Sequence, residues 1–108
     1  MIAGDLLFTA GVGPVDPATG ELAGETVEEQ TAQVMANLEA ILATDGLTFA
    51  DVVKVTTHLQ DLKRDFAGYD AVYKQSLTEP YPVRTTVGST LMNILVEIDV
   101  VAYRGSKR

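Results

Sequence analysis

The chain has 108 residues, 46% of them apolar, and carries 15 acidic against 8 basic side chains for a net charge of −7. That length suits one domain around one core, and that charge repels a nucleic-acid backbone unless the basic residues cluster. There is no cysteine, which excludes disulfides, thiolate nucleophiles and cysteine-ligated zinc.

The single basic cluster is the end of the chain, Arg104, Lys107 and Arg108, read as a frayed terminus rather than a nucleic-acid contact. No apolar run reaches the ~18 residues of a membrane span. The first residues lack the charged and apolar regions of a leader peptide. The expectation is a cytoplasmic protein with neither a membrane nor a nucleic-acid partner.

The first predicted element is a strand over Leu6 to Thr9. Residues 11 to 24, rich in Gly and Pro, form a turn-rich loop long enough to contact a ligand. Thr26-Val27-Glu28-Glu29 is a capping box, so a helix should run from about Val27 to Thr44. Val27, Thr31, Val34, Leu38, Ile41 and Leu42 share its apolar face. Gln30 and Asn37 border that face and are expected to bond to nearby backbone. Asp45-Gly46 ends the helix.

Thr48 to Asp51 repeats the capping pattern in a short turn. Val53 to Leu59 alternates, with Val53, Val55, Thr57 and Leu59 on one side and Lys54, Thr56 and His58 on the other, which predicts a strand. His58 is the only histidine. It reads as a solvated or hydrogen-bonded surface imidazole, and a site of several histidines is excluded. A second helix is expected from about Asp65 to Leu77, with Phe66, Tyr69, Tyr73 and Leu77 as its core stripe. Asp70 projects from that same face, where a carboxylate must be paired or form a pocket wall.

Two strands follow, Val83 to Val87 and Ile94 to Tyr103. In the last, Ile94, Val96, Ile98, Val100 and Ala102 form an apolar face. Leu95, Glu97, Asp99, Val101 and Tyr103 form a mixed one, whose apolar members suggest cover from another subunit. The order β-α-β-α-β-β gives an α+β domain, two helices on one face of a mixed sheet.

Four stretches now resemble a known family: A-G-V-G-P-V-D-P-A-T-G-E-L at 10–22, E-E-Q-T-A-Q-V-M-A-N-L at 28–38, D-V-V-K-V-T-T-H-L-Q-D at 51–61 with D-F-A-G-Y-D-A-V-Y after it, and P-V-R-T-T-V-G with L-V-E-I-D-V-V-A. In this order they are similar to the reactive intermediate deaminases, the Rid or YjgF family. The resemblance spans nearly the whole chain, and P-V-R-T and V-E-I are its most specific part. It implies a chorismate-mutase-like, two-layer fold in a single domain over residues 1–108. It also implies a homotrimer with sites between subunits, no metal or organic cofactor, and hydrolysis of enamines or imines such as 2-aminoacrylate to 2-keto acids and ammonia.

By that resemblance, Arg84 binds the substrate carboxylate and Glu97 acts beside the imine nitrogen and the attacking water. Thr86 and Gly11 line the same site. Three departures accompany it. The chain begins near the family's second strand, without its usual N-terminal strand and the aromatic-bearing segment there. Asp70 stands where the family has asparagine. The 88–94 loop is shorter.

The residues themselves allow both roles. A guanidinium is a planar fork that holds a carboxylate by two parallel bonds, and a strand carboxylate can move a proton. Arg84 could instead pair with Glu79, Glu97 or Asp99 and bind nothing. A non-catalytic, regulatory binder of small carboxylates is the alternative reading. It would keep Arg84 and gain nothing from Glu97.

Overall fold

The computed structural model describes residues 1–105; Lys107 and Arg108 of the basic cluster lie outside the described residues. Arg104, its remaining member, is not frayed: its guanidinium bonds to the Asp45 carboxylate and the Gly4 carbonyl.

A hairpin opens the fold, β1 (Ile2–Ala3) and β2 (Leu6–Phe8). Its two-residue turn needs positive φ, which Gly4 supplies at +59°. β1 was not foreseen. Helix α1 spans Val27–Ala43 behind the expected capping box, in which Thr26 Oγ1 accepts from the Glu29 amide at 3.1 Å. Its buried stripe runs Val27, Thr31, Val34, Leu38, Leu42, flanked by Gln30 and Met35. Ile41, expected inside, is 37% exposed, because the stripe has moved past it to Leu42 by the last turn. Gln30 and Asn37 bond to backbone, though mainly to segments far along the chain rather than to their neighbours. Gln30 donates to the Gly24 carbonyl and accepts from the Leu95 amide, and Asn37 donates to the carbonyls of Gly13 and Val15.

A 3₁₀ turn, Phe49–Asp51, leads into β3 (Val52–Leu59). The ladder with the last strand slips between Val52 and Lys54. This bulge leaves Val53 exposed and turns Val52 inward, contrary to simple alternation. Helix α2 spans Leu62–Tyr73 and tightens to 3₁₀ over Lys74–Ser76. It begins earlier than expected because Asp61 caps it, accepting from the Arg64 amide. Phe66, expected in its core stripe, is 36% exposed.

β4 (Val83–Gly88) and β5 (Val96–Tyr103) complete the sheet. β5 starts two residues later than expected, since the Leu95 amide is taken by Gln30.

The order across the sheet is β1-β2-β5-β3-β4, with β3 and β4 parallel and the other neighbours antiparallel. β4 is an edge. Val55, Thr57, Leu59, Val96, Ile98, Val100 and Ala102 face α1 and α2 and are buried. Full burial of each large aliphatic side chain is worth about 1.5–3 kcal/mol. The two-layer α+β architecture is therefore the one that the hydrophobic pattern predicts. Among the described residues no helix is long and apolar enough to cross a membrane.

Candidate active site

The sheet register sorts the candidate residues into two pairs. Arg84 lies opposite Val55 and Thr86 opposite Thr57, so both point to the helix side. Glu97 lies opposite His58 and Asp99 opposite Thr56, on the outer side. Within one chain, Arg84 and Glu97 therefore stand on opposite faces of the sheet.

On the helix side, α2 presents Phe66, Tyr69, Asp70 and Tyr73 toward the edge strand. Arg84 Nη1 donates to Asp70 Oδ1 at 2.7 Å. This is none of the acidic partners considered from the sequence. The guanidinium carbon lies 4.7 Å from the Tyr73 ring centre, 5.6 Å from Phe66 and 5.7 Å from Tyr69, a set of cation–π contacts. Burial opposes the Arg84 charge, but the bond to Asp70 and the neighbouring Tyr69 outweigh it and raise its pKa above the ordinary value. The cation is permanent.

Tyr73 is buried, which pushes its hydroxyl up to about 12, with Tyr69 adding to the rise and Arg84 opposing it. Tyr69 is fully buried and its hydroxyl shares a 2.6 Å hydrogen bond with Thr57. Beside that pair, the buried Thr86 hydroxyl has no hydrogen-bond partner among the described residues.

A pocket of about 480 Å³ opens here, lined by Arg84, Asp70, Tyr73, Lys74, Leu77, Tyr81 and Pro82. The side chains of Arg84 and Asp70 remain 25% and 30% exposed, so the ion pair is reachable. Tyr73 and Tyr81 are thus the aromatic members of this wall, while Phe8 lies in the outer row with Val101. Lys74 was not singled out from sequence. Its signal was its place one turn beyond Asp70 on the same helix.

The outer side holds the second pair. Val12 bridges Ile98 through two backbone hydrogen bonds. That lays Gly11 against Glu97 so closely that any Cβ at position 11 would overlap the carboxyl group. Only glycine permits this approach. His58, across the ladder from Glu97, shares a 2.7 Å hydrogen bond through Nδ1 with Ser89 Oγ, the hydrogen-bonded surface imidazole that was expected. The outer face is partly apolar: Phe8, Val83, Val87 and Tyr103 are 37–67% exposed. No group of three or more metal-ligating side chains occurs among the described residues.

Comparison with known proteins agrees with the fold. The sequence profile described as endoribonuclease L-PSP matches residues 1–104. A RutC family protein of Pyrococcus horikoshii is 40% identical over 104 residues, covering 94% of this chain and 82% of the relative. The chloroplastic reactive intermediate deaminase A of Arabidopsis thaliana is 37% identical over 102 residues, 93% of this chain and 54% of that protein. Among solved structures, Escherichia coli TdcF with bound serine superposes with a TM-score of 0.88 at 34% identity, covering 97% of this chain and 85% of that one.

Proposed function

The chain belongs to the endoribonuclease L-PSP family, the Rid or YjgF family, and from that premise we propose that it hydrolyses reactive enamine and imine intermediates to 2-keto acids and ammonia. The observation that carries this reading is the pocket on the edge strand, with an aromatic-stacked, permanently charged Arg84 in its wall. Relatives named as reactive intermediate deaminases, and a relative structure holding serine, support it at the level of the family.

In this proposal Arg84 holds the substrate carboxylate through its guanidinium fork. Thr86, two residues on from Arg84 on the same side of β4, stands behind it with a buried hydroxyl that has no partner among the described residues, and Gly11 keeps the backbone close to Glu97. Water adds to the carbon of the C=N bond. Glu97 takes a proton from that water and passes one to nitrogen. The carbinolamine hydroxyl then gives its proton to Glu97, which returns one to nitrogen as the C–N bond breaks, releasing ammonia and leaving the keto group. Fixing the substrate can remove up to about 7–11 kcal/mol of barrier, and a positioned acid/base contributes roughly 10²–10⁴-fold.

Arg84 and Glu97 occupy opposite faces, so this mechanism requires more than one chain. We propose a homotrimer in which the outer face of one protomer, with Glu97, abuts the β4 edge of the next, with Arg84. The exposed Phe8, Val83, Val87 and Tyr103 supply apolar area for such packing. The lack of cysteine suits the cytoplasm. The name of the family includes a ribonuclease. A net charge of −7 and a single histidine already bonded to Ser89 argue against RNA as the substrate.

One observation favours the second reading, a non-catalytic binder of small carboxylates: a single chain presents Arg84 in a pocket without Glu97 beside it. Turnover separates the two. Imines are generated from amino acids by an oxidase and trapped with semicarbazide. The protein is expected to suppress the adduct, Arg84→Ala to abolish suppression, and Glu97→Gln to lower it by roughly 10²–10⁴-fold while ligand binding persists. Binding without any turnover by the native protein would establish the binder instead.

A further inference from the structure

We infer that Asp70 is a specificity residue that selects ligands carrying a protonated nitrogen next to their carboxylate, that is, zwitterionic α-imino or α-amino acids. The inference rests on the preceding assignment of Arg84 as the carboxylate holder and adds the partner for the other end of the ligand.

Asp70 touches Arg84 through one oxygen only, Oδ1 on Nη1 at 2.7 Å, and both side chains form the pocket wall. The pocket's described charges are Arg84, Lys74 and Asp70. A ligand with only a carboxylate must share Arg84 with Asp70, placing two like charges on one guanidinium, an arrangement that disfavours binding. A zwitterion instead opens the internal ion pair and replaces it with two. Its carboxylate takes the guanidinium fork, and its cationic nitrogen takes the Asp70 carboxylate. Lys74, one turn beyond Asp70, adds positive charge on the carboxylate's side of the balance. Tyr73, Tyr81 and Leu77 give the wall its apolar area, which strengthens both charge contacts by excluding water. Both charges of the ligand then have a partner, as burial requires; Lys74 is exposed and stays solvated.

A purely structural Asp70–Arg84 pair would not discriminate between ligands, so selectivity is the informative readout. Calorimetry compares L-serine with L-glycerate, which differs by a hydroxyl in place of the ammonium, on native protein and on Asp70→Asn. Native protein is expected to favour serine by about tenfold or more, the worth of one charge-assisted hydrogen bond. Asp70→Asn should erase or invert that ratio, mainly by tightening glycerate. Asp70→Ser serves as a second variant, and thermal melts confirm that each is folded.

An unchanged serine-to-glycerate ratio in the folded variants overturns the inference, as does native protein that prefers glycerate or binds neither ligand. Selectivity that is present and lost in Asp70→Asn, in a protein that turns over no imine, sinks the deaminase reading and leaves this one standing.

Discussion

The two faces of the sheet solve different problems. Apart from the pocket at Arg84 and the Thr86 hydroxyl beside it, the helix-side face finishes itself within one chain. Its apolar side chains are covered by α1 and α2, its buried Thr57 hydroxyl is answered by Tyr69, and Arg84 has both a carboxylate and aromatic faces around it. The outer face is left half done. It sets Glu97 and Asp99 in a row with Val101 and Tyr103 and covers them with little beyond the loop at Gly11 and Val12. A completed face reports on stability, and an incomplete one on what it meets. The difference predicts where a mutation will act on folding and where it will act on assembly and activity.

The strongest test of that division is Ile98→Ala. Ile98 is fully buried on the helix side of β5, and truncation there should cost about 2–5 kcal/mol by urea unfolding. Its outward neighbours should cost far less at low protein concentration, and a large loss from Val101→Ala in an isolated monomer would break the distinction. Next comes Tyr69→Phe, which strands the buried Thr57 hydroxyl and should destabilise by about 1–3 kcal/mol with no change in assembly.

Gly11→Ala sharpens the contrast from the other side. The added Cβ must push the end of the flexible Glu97 side chain away. The melting temperature should barely move, while turnover falls by about 10²-fold from the misplaced carboxylate; equal turnover would remove Glu97's position from the mechanism.

The smallest effect is expected at the rim, where neither face is involved. Hydrogen bonds from the Thr26 side chain, then from the Thr26 and Glu25 backbone, hold Glu29 below its ordinary pKa of 4.5. The folded value lies below the unfolded one, so this contribution is present above pH 4.5 and fades as pH falls through the lowered value. Amide exchange at residues 26–30 should accelerate over that range in native protein, and Glu29→Gln should show no such acid-dependent step.

Much of this was legible locally. The capping boxes at Thr26 and Thr48 and the alternation of β5 follow from neighbours in sequence. What could not be read depends on pairing at long range. In β4, Val83 and Val87 look like core residues, yet they face outward while Arg84 and Thr86 face the helices. An edge strand lies at the margin of the helix layer, so its inner side can line a pocket rather than fill a core. The bulge that exposes Val53 is defined by pairing with β5 and is invisible in β3 alone. The partner of Arg84 was also hidden, since Asp70 reaches it from α2 across 14 residues of sequence. From the sequence, Arg84 and Glu97 were expected in one site; the parity that places them on opposite faces appears only once the register is known.

The long loop before α1 has one further consequence. Its base is tied down, at Val12 by the bridge to Ile98 and at Gly13 and Val15 by the amide of Asn37. Its tip is self-contained: Gly20 donates to the Asp16 carbonyl, Ala18 to the Asp16 carboxylate, and Asp16 to the Glu21 carbonyl. For protein engineering, residues 17–19 are therefore an insertion port. A peptide tag or fluorescent reporter spliced there would extend an exposed turn whose anchors are untouched, and would sit a few residues from the Gly11–Glu97 contact without altering it.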